Sequence, residues 1–562
     1  MKTIQIICFI VAVLLFNLPS AFSQTYLLHT NWQFKNRQKT IWYPATVPGT
    51  IHTDLLANHL IADPFYGDNE NKLQWIGQTE WEYQTRFDIP YSTNSEIFLQ
   101  FDGLDTYTSI YLNHKLLLKT DNMFRTYKVP VSKLLKQKGN DLRIVFYSAE
   151  RQANLAAKSN GIIYPCENNR NFARKAQYHF GWDWAPRMIT CGIWRSVKLI
   201  VGGEKIDTTP HYSEVKLIQD NDSIGQSFYF TLGGKPTFMK GANWIPADVF
   251  LPRISKEKYK SLLVAAKEAG MNMLRVWGGG IYEDDYFYSL CDSLDIYIWQ
   301  DFMFAGAMYA ADPVSLDNIK QEAIDNIKRL RTHKCIVLWC GNNEIDEAWH
   351  NWGWQKQFHI SKSDSIRLWT DYQKIFHELL PSLVKEYDGG RAYIASSPLY
   401  GWGRQKSMTH GDSHYWGMWW GLDSISRMKQ KIPRFMSEYG MQAMPNMESV
   451  LQYATKSDLD TSSAFIKNHQ KHPTGFQTLS KYLRMEQIPV SDFASFVTGT
   501  QVLQSRAIET ALNAQIHSKG RCMGSLLWQF NDCWPVCSWS IIDYYGNKKK
   551  GYYTLQNIHH KN

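Results

Sequence analysis

The segment Cys335-Ile336-Val337-Leu338-Trp339-Cys340-Gly341-Asn342-Asn343-Glu344 decides the fold, because an apolar run of strand length ends at two amides and a carboxylate. Short apolar runs of this kind are typical of strands that are buried on both faces of a parallel sheet. The segment Arg434-Phe435-Met436-Ser437-Glu438-Tyr439-Gly440 has the same design, with a second glutamate after its apolar run. We therefore predict that Glu344 and Glu438 stand at the ends of two buried strands.

Six more strand-like runs accompany these two, at 238–243, 271–277, 296–301, 392–396, 408–412 and 522–528. Amphipathic helical stretches lie between them, at 255–269, 316–331, 365–386 and 492–518. Eight strands that alternate with helices predict a closed (β/α)8 TIM barrel, which we place at residues 237–562. Such barrels carry their chemistry at the carboxyl ends of the strands, and both glutamates fall there, after the fourth and the seventh strand.

The chain before the barrel has a different pattern of apolar and polar residues. From residue 24 to residue 201, short alternating stretches such as 81–87 and 142–146 are separated by turn residues such as Asp102-Gly103. Alternation with a period of two predicts an antiparallel β-sandwich, with a jelly roll as the expected topology. Residues 202–236 are predicted to be a linker or the stub of a further domain. The predicted fold class is thus multidomain, β plus α/β.

Length and composition fit a globular chain of several domains. The 562 residues exceed one ordinary domain, and 44% of them are hydrophobic, which is enough for two or three cores. The formal charge of +9 is spread over 61 basic and 52 acidic residues without a long basic block, so no nucleic-acid partner is predicted. The chain contains neither a Cys-x-x-Cys pair nor a His-Glu-x-x-His motif, so no metal site is predicted.

The first 23 residues are typical of a secretory signal peptide. Lys2 precedes an apolar run from Ile4 to Leu18, and Ala21-Phe22-Ser23 follows as a small-residue cleavage site. We expect cleavage after Ser23 and a secreted or periplasmic protein. The apolar run is short for a membrane span, and no later segment is long and apolar enough to be one.

Two carboxylates at strand ends suggest glycoside hydrolysis. One carboxyl group protonates the leaving oxygen, and the other attacks or stabilises the sugar cation. Arg275, at the end of the second strand, is a candidate for keeping Glu438 ionised, and a structural salt bridge within the barrel is the alternative. A separation of about 5–5.5 Å between the carboxyls predicts a retaining enzyme, and one of about 6.5–9.5 Å predicts an inverting enzyme.

Aromatic side chains are unusually frequent, with 22 Trp and 31 Tyr residues. Most of them fill cores, but aromatic rings also stack on the apolar faces of sugars. Tyr415 and Trp416 follow the sixth predicted strand and are candidates for an aromatic wall beside the carboxylates. For His410 and His414 in the same run, bracing of the core or of a loop is as well supported as contact with a substrate.

Further motifs make a resemblance to a known family specific. They are Tyr178-His179-Phe180-Gly181-Trp182-Asp183-Trp184-Ala185-Pro186, Gly241-Ala242-Asn243-Trp244-Ile245-Pro246-Ala247-Asp248, Leu274-Arg275-Val276-Trp277-Gly278-Gly279-Gly280, Trp299-Gln300-Asp301-Phe302-Met303-Phe304-Ala305 and Leu527-Trp528-Gln529-Phe530-Asn531-Asp532-Cys533-Trp534-Pro535. With the two glutamate motifs, this ordered set covers most of the chain. The chain resembles glycoside hydrolase family 2, and in particular its β-mannosidase branch.

The resemblance implies roles for the residues that match the family motifs. Glu344 is the implied general acid/base, and Glu438 is the implied nucleophile. Asn343 is the implied partner of the sugar 2-hydroxyl. The family requires no metal or organic cofactor for this reaction.

The resemblance also implies a closed subsite for one terminal sugar. Trp277 and Trp528 line this subsite from the barrel, and Trp182 with Asp183 reaches in from the jelly roll. That contribution blocks the far end of the cleft and implies removal of one terminal sugar at a time. For Trp182, anchoring of the domain interface is the alternative role.

The spacing of the motifs departs from the family. Members carry an immunoglobulin-like sandwich of about a hundred residues between jelly roll and barrel. Here only about 45 residues join Trp194-Arg195 to Gly241-Ala242-Asn243. We expect the middle domain to be absent or reduced to a stub. The C-terminal β-domains that are usual in this branch are likewise expected to be largely absent, because the sequence ends at Asn562 soon after the eighth strand.

The leading hypothesis is a retaining exo-β-mannosidase that hydrolyses terminal non-reducing β-D-mannose from oligosaccharides or glycans by double displacement. Another family 2 exo-β-glycosidase, namely a β-galactosidase, a β-glucuronidase or an exo-β-glucosaminidase, is the alternative within the same class. From a different class, the chain could be a degenerate sugar-binding protein without catalysis. The presence of both Glu344 and Glu438 argues against that alternative.

Overall fold

The computed structural model describes residues 24–89, 96–202 and 207–562, and the predicted signal peptide at 1–23 lies outside these ranges. An antiparallel β-sandwich comes first in the chain, and an eight-stranded parallel barrel follows it. The predicted fold class is therefore confirmed.

The sandwich packs two antiparallel sheets around one core. Its strands are β1 (Gln24–Leu27), β2 (Gln33–Asn36), β3 (Tyr43–Pro44), β4 (Trp81–Phe87), β5 (Ile97–Phe101), β6 (Tyr107–Leu112), β7 (Lys115–Asp121), β8 (Tyr127–Pro130), β9 (Asn140–Tyr147) and β10 (Val197–Val201). The sheet orders are β1-β10-β5-β8 and β3-β2-β4-β9-β6-β7. Alternating residues fill the space between the sheets, among them Phe34, Tyr83 and Leu99, which are fully buried. The helices of this part are α1 (Ile51–Ala57), α2 (Asn69–Lys72), α3 (Trp75–Gln78) and α4 (Ala149–Asn160).

Three short antiparallel strands lie within the predicted linker region and reach its end. They are β11 (Val215–Ile218), β12 (Tyr229–Leu232) and β13 (Lys235–Thr237). The ring of Phe228 stacks on Trp299 with 5.7 Å between centroids and meets Phe435 edge-on at 5.3 Å. Because Phe435 and Met239 are the first residues of their barrel strands, this small sheet covers the amino-terminal end of the barrel. It lies opposite the strand ends that carry the glutamates.

Eight parallel strands form the barrel. They are β14 (Met239–Trp244), β15 (Met273–Val276), β16 (Tyr297–Asp301), β17 (Ile336–Cys340), β18 (Ala392–Ile394), β19 (Asp412–His414), β20 (Phe435–Glu438) and β21 (Gly524–Leu527). Their spatial order is β18-β17-β16-β15-β14-β21-β20-β19. The two ends of this order meet through side chains, since Ser397, just beyond β18, donates a hydrogen bond of 2.7 Å to Asp412 of β19.

The sixth barrel strand begins later than the sequence predicts. Residues Gln405–Met408 form a 3-10 turn, and Gly411 has a φ of 64°, in the left-handed region that strands do not use. The prediction of a strand at 408–412 is wrong for this reason. The shift places His414 at the carboxyl end of the strand, level with Glu438 of β20.

Helices cover the outside of the barrel and fill its long loops. They are α5 (Lys256–Glu268), α6 (Asp285–Leu294), α7 (Pro313–Leu330), α8 (Ile345–Asn351), α9 (Trp354–Gln357), α10 (Lys362–Gln373), α11 (Leu380–Asp388), α12 (Met447–Val450), α13 (Ala464–Asn468), α14 (Gly475–Met485), α15 (Phe493–His517) and α16 (Lys550–Lys561). Side-chain caps determine where several of these helices begin. For example, the side chain of Asp312 accepts hydrogen bonds from the first N–H groups of α7. In the part of the chain that the structure describes, no helix has the length and apolar character of a membrane span.

The sandwich docks directly on the barrel through buried polar contacts. Arg174 donates to both carboxylate oxygens of Glu322, at 2.8 and 2.5 Å, and its guanidinium lies 4.0 Å from the ring centre of Phe304. Beside this ion pair, the hydroxyl of Tyr178 donates to the carbonyl of Asp248 at 3.1 Å. These contacts hold the aromatic segment of the sandwich against the loops at the barrel mouth.

Candidate active site

The guanidinium of Arg275 is the centre of a polar cluster at the barrel mouth. It is fully buried and uses all five of its N–H groups. Nε and Nη2 donate to Asp301 at 3.4 and 2.8 Å, and Nη2 also donates to Oδ1 of Asn343 at 2.8 Å. Nη1 donates to Asn243 at 3.0 Å and to Glu438 at 2.5 Å. One planar side chain on β15 thus fixes the carboxyl ends of four other strands.

Glu438 ends β20 and is buried between a cation and an imidazole. Its Oε1 accepts from Arg275, and its Oε2 lies 3.3 Å from Nδ1 of His414. Burial raises the pKa of Glu438 to about 7, and the charge of Glu344 adds to this effect, while Arg275 opposes it. Because Arg275 is always charged, it favours the ionised form of Glu438 that a nucleophile requires.

Glu344 stands between β17 and α8 in an uncommon backbone conformation. Its φ is 63°, in the left-handed region, and its N–H donates to the carbonyl of Ser397 at 2.8 Å. Oε2 accepts from Nδ2 of Asn343 at 3.3 Å. Burial raises the pKa of Glu344 to about 7, with Arg275 and Asn343 as the opposing influences. The carboxyl can therefore hold a proton near neutral pH, as a general acid must.

Asn343 has a fixed orientation. Its Oδ1 is held by Arg275, so its Nδ2 is the group that faces Glu344. A donor in this position also fits the predicted contact with a sugar hydroxyl beside the acid. That contact stays a prediction.

His414 belongs to the site, although the sequence supports a bracing role equally well. Its Nδ1 lies 2.9 Å from Oε1 of Glu344 and 3.3 Å from Oε2 of Glu438, so it sits between the two carboxyls. Burial lowers the pKa of His414 to about 4, and the ring is therefore neutral at physiological pH. With the sixth strand placed correctly, the sequence puts His414 at the carboxyl end of β19, and this position is the signal that could have identified it as a residue of the site. His410 instead bonds to Thr409, before the strand begins.

A hydrogen-bonded chain behind His414 assigns its tautomer. Ser397 donates its hydroxyl hydrogen to Asp412 at 2.7 Å, so the same oxygen accepts from Nε2 of His414 at 3.0 Å. Nε2 then carries the ring hydrogen, and Nδ1 offers a lone pair to the carboxyls. A lone pair that faces two carboxyls requires a proton on one of them, and Glu344 is the nearer.

Four tryptophans form an aromatic cluster that joins the sandwich to the barrel. Trp277, which follows β15, meets Trp182 edge-on with 4.9 Å between centroids and Trp528 at 5.7 Å. Trp184 packs against Trp277 at 5.4 Å and against Trp528 at 6.2 Å. Three of these were predicted to line the sugar subsite, and Trp184 is an additional member at its back. The structure brings the three together, while their contact with a substrate stays a prediction.

Asp183 adds a third carboxyl from the sandwich. Burial raises the pKa of Asp183 to about 7, and the charges of Glu344 and Glu438 contribute to this shift, so Asp183 lies within electrostatic reach of both. The adjacent Trp182 is held by Arg170, whose guanidinium lies 4.8 Å from the ring centre. The predicted reach of Trp182 and Asp183 towards the barrel thus has a structural basis.

Tyr415 and Trp416 lie beside the site with their side chains engaged elsewhere. The hydroxyl of Tyr415 donates to Asp423, and its backbone N–H donates to the carbonyl of Glu438 at 2.8 Å. Trp416 meets Trp539 edge-on at 5.9 Å. Both residues stabilise the loop after β19, and their predicted contacts with substrate stay predictions.

Comparisons with known proteins identify the family. Residues 32–195 match the family described as glycosyl hydrolase 2 galactose-binding domain-like. The beta-mannosidase B of Aspergillus clavatus is 30% identical over 95% of this chain and 77% of the relative, and that of Aspergillus flavus is 32% identical over 96% and 77%. The chain belongs to glycoside hydrolase family 2. The crystal structure of the β-D-mannosidase of Dictyoglomus thermophilum matches this family 2 chain with a TM-score of 0.88 at 34% identity, covering 95% of this chain and 77% of the other. These relatives place it in the β-mannosidase branch.

This family 2 chain is shorter in its interior than its fungal relatives. The alignment with the Aspergillus clavatus protein spans 653 positions, whereas this chain has 562 residues in all. Because 95% of this chain is aligned, about 534 residues, the relative carries at least about 119 residues that face gaps here. The small sheet β11–β13 lies in the connection between the sandwich and the barrel.

The Arg275→Met variant tests the central position of the guanidinium. Removing the cation leaves Asp301 and Glu438 buried without a counter-charge, which should lower the free energy of unfolding by about 3–5 kcal/mol. Burial raises the pKa of both carboxyls, so protonation relieves the loss, and the difference from the wild type should be smaller at about pH 5 than at about pH 8. Urea denaturation monitored by tryptophan fluorescence measures both quantities.

The matched control for that experiment is Arg86→Met, which removes an exposed ion pair with Asp141 at 3.6 Å. It should cost less than about 1 kcal/mol at either pH. Equal losses in the two variants would contradict the assignment of Arg275.

Proposed function

We propose that the chain is a retaining exo-β-mannosidase that removes terminal non-reducing β-D-mannose from oligosaccharides or glycans. The observation that carries this proposal is the pair of carboxyls at the barrel mouth, because an oxygen of Glu344 and an oxygen of Glu438 lie within 4.8 Å of each other. An inverting enzyme needs about 6.5–9.5 Å between the two groups to admit a water. The likeness to proteins described as β-mannosidases supports mannose as the sugar.

In the first step, Glu344 gives its proton to the glycosidic oxygen while an oxygen of Glu438 bonds to the sugar C1. The bond between C1 and the glycosidic oxygen breaks, and the alcohol leaves. Arg275 holds Oε1 of Glu438, which leaves Oε2 as the free oxygen for the attack. The product of this step is an ester between the sugar and Glu438.

In the second step, Glu344 acts as a base. It takes a proton from a water whose oxygen bonds to C1, and the ester bond to Glu438 breaks. Two inversions at C1 give net retention. Asn343 donates to Oε2 of Glu344 in both steps, whereas Nδ1 of His414 accepts from Oε1 only while Glu344 carries its proton.

The sandwich supplies the reason for removal of a single terminal sugar. Trp182 and Asp183 stand across the mouth from the barrel strands, and Arg170 fixes Trp182 by donating to the carbonyls of Ala305 and Gly306 at 3.1 Å each. Trp182 thereby forms a wall against Trp277 of the barrel. We propose that this wall determines the exo mode of action.

We further propose that the chain works outside the cytoplasm, as a secreted or periplasmic protein. The charged start, the apolar run and the small-residue site that ends at Ser23 support this proposal. Intact-mass measurement of protein recovered from the medium or the periplasm should find an N-terminus at Gln24. A chain that keeps Met1 and stays in the cytoplasm would contradict the localisation.

The Glu438→Gln variant tests the sugar and the nucleophile together. We expect the wild type to release nitrophenol from the aryl β-D-mannoside in preference to the galactoside, glucoside, glucuronide and glucosaminide. The variant should release none, because an amide cannot form the ester intermediate. Its control is Glu448→Gln, which makes the same change at an exposed position ten residues further on and should keep full activity. Near-normal activity of the Glu438→Gln variant would contradict the assignment of Glu438 as the nucleophile. Preference of the wild type for another glycoside would contradict the assignment of mannose as the sugar.

The pH dependence of kcat/KM tests the acid. Burial raises the pKa of Glu344 to about 7, and the acid must be protonated, so activity should fall as the pH rises through about 7. In Glu344→Gln this alkaline limb should disappear, and substrates with poor leaving groups should lose far more activity than activated aryl mannosides. An unchanged alkaline limb in the variant would assign it to another group.

A further inference from the structure

The side chains of Glu344, His414 and Glu438 lie close enough together to bind one metal ion, in addition to their proposed part in the reaction. One donor atom from each of the three side chains lies within 4.8 Å of the other two. Within the described ranges, this is the one group of three or more His, Cys, Asp or Glu side chains with that spacing. From this arrangement we propose that the site binds a zinc ion across the two carboxylates and the imidazole, and that zinc is thereby a reversible inhibitor that competes with the substrate.

The donor spacing around Nδ1 of His414 fits zinc. Nδ1 lies 2.9 Å from Oε1 of Glu344 and 3.3 Å from Oε2 of Glu438. With bonds of about 2.0–2.2 Å, neighbouring ligand atoms around a tetrahedral zinc lie about 3.3 Å apart. The carboxylate oxygens therefore need to approach each other by at most about 1.5 Å to share one ion. Glu344 is the more exposed of the two, at 15% of its side-chain surface, and has the room to make this adjustment.

The lone pair of His414 is already oriented for a metal. Its Nε2–H donates to Ser397, which passes its own hydrogen to Asp412, and this leaves Nδ1 as the bare nitrogen that faces the carboxyls. Metal-binding imidazoles are commonly held in this way, by a hydrogen bond from the nitrogen that does not bind the ion. Asp412 is fixed in turn by hydrogen bonds from Ser437 at 2.6 Å and from the N–H of Leu399 at 2.9 Å.

The electrostatic balance of the mouth favours a dication. Glu438 presents Oε2 to the ion because Oε1 is held by Arg275, so the guanidinium does not occupy the ligand atom. Arg275 is shared with Asp301, and Asp183 lies within reach of both glutamates. Arg275 thus contacts two carboxyl groups, Asp301 and Glu438, and does not contact Glu344, which releases its proton to solvent when the ion binds. The mixed nitrogen and oxygen donors suit zinc, whereas magnesium and calcium prefer oxygen ligands alone.

Calorimetric titration of ZnCl2 into the purified mature chain tests the proposal without relying on activity. The expected result is one saturable zinc per chain, with MgCl2 at the same concentration unable to displace it. In parallel, zinc should raise the apparent KM for an aryl β-mannoside while kcat stays constant. Binding of zinc at some other place would leave KM unchanged or would lower kcat.

Variants locate the ion. His414→Gln and Glu438→Gln should each weaken zinc binding by at least about tenfold. Removing a residue that only supports a metal ligand already weakens binding by about 10–100-fold, so removing a ligand should cost at least the lower of these values. His410→Gln makes the same change four residues earlier, at a ring that bonds to Thr409, and should bind zinc as the wild type does. Thermal unfolding shows whether each variant is folded. Because His414→Gln and Glu438→Gln each remove a different ligand, one of them still tests the site if the other does not fold.

The outcomes separate this inference from the proposed function. Zinc binding that both ligand variants leave unchanged, or no saturable binding by the wild type, would overturn the inference even if the chain cleaves mannosides. Binding that depends on His414 and Glu438 in a chain without glycosidase activity would support the zinc site and overturn the proposed function.

Discussion

The buried guanidinium of Arg275 is the interaction on which the rest of the site depends. Its five N–H groups bind partners contributed by β14, β16, β20 and the end of β17, and Arg275 itself belongs to β15. A cation buried without partners is strongly destabilising, so its presence here requires all of them to be in place. Because the partners come from separate strands, only a closed barrel with the correct stagger can satisfy it. The same contact therefore depends on correct closure of the barrel and orients the carboxylate of Glu438.

The two glutamates differ because their surroundings differ. Glu438 touches the guanidinium, whereas Glu344 touches only the amide of Asn343 and the neutral ring of His414. Burial raises the pKa of each carboxyl to about 7 and Arg275 opposes both shifts, but of the two it is Glu438 that contacts the cation. Asn343 links the two environments, since its oxygen is held by Arg275 and its nitrogen faces Glu344. The site is thus ordered before a substrate arrives, which is how preorganised groups stabilise charge that develops during a reaction.

Apolar runs that end in polar residues were sufficient to predict seven of the eight barrel strands and the places of Glu344 and Glu438, because buried parallel strands have this pattern in the sequence itself. His414 could not be assigned in the same way. Its role depends on where β19 begins, and the left-handed turn at Gly411 delays that start relative to the apolar pattern. The packing of the sheet β11–β13 could not be predicted either, because Phe228 and Phe230 pack against the amino-terminal end of the barrel, which forms only when the barrel closes. Contacts between strands that are distant in sequence follow from the stagger of the barrel, and local periodicity carries no information about it.

The sandwich and the barrel contact each other directly, and these contacts are independent of the connection between them. The aromatic cluster is held by Trp182 and Trp184 of the sandwich against Trp277 of the barrel, and the ion pair between Arg174 and Glu322 lies behind it. None of these contacts runs through the connection between the domains. That connection is instead fastened to the barrel wall, where Arg331 donates to the carbonyl of Thr208 at 2.5 Å and Arg391 donates to that of His211 at 2.5 Å. The side chains of the candidate site and the contacts that hold its aromatic cluster thus belong to the sandwich and the barrel, whereas the connection has its own attachment to the barrel.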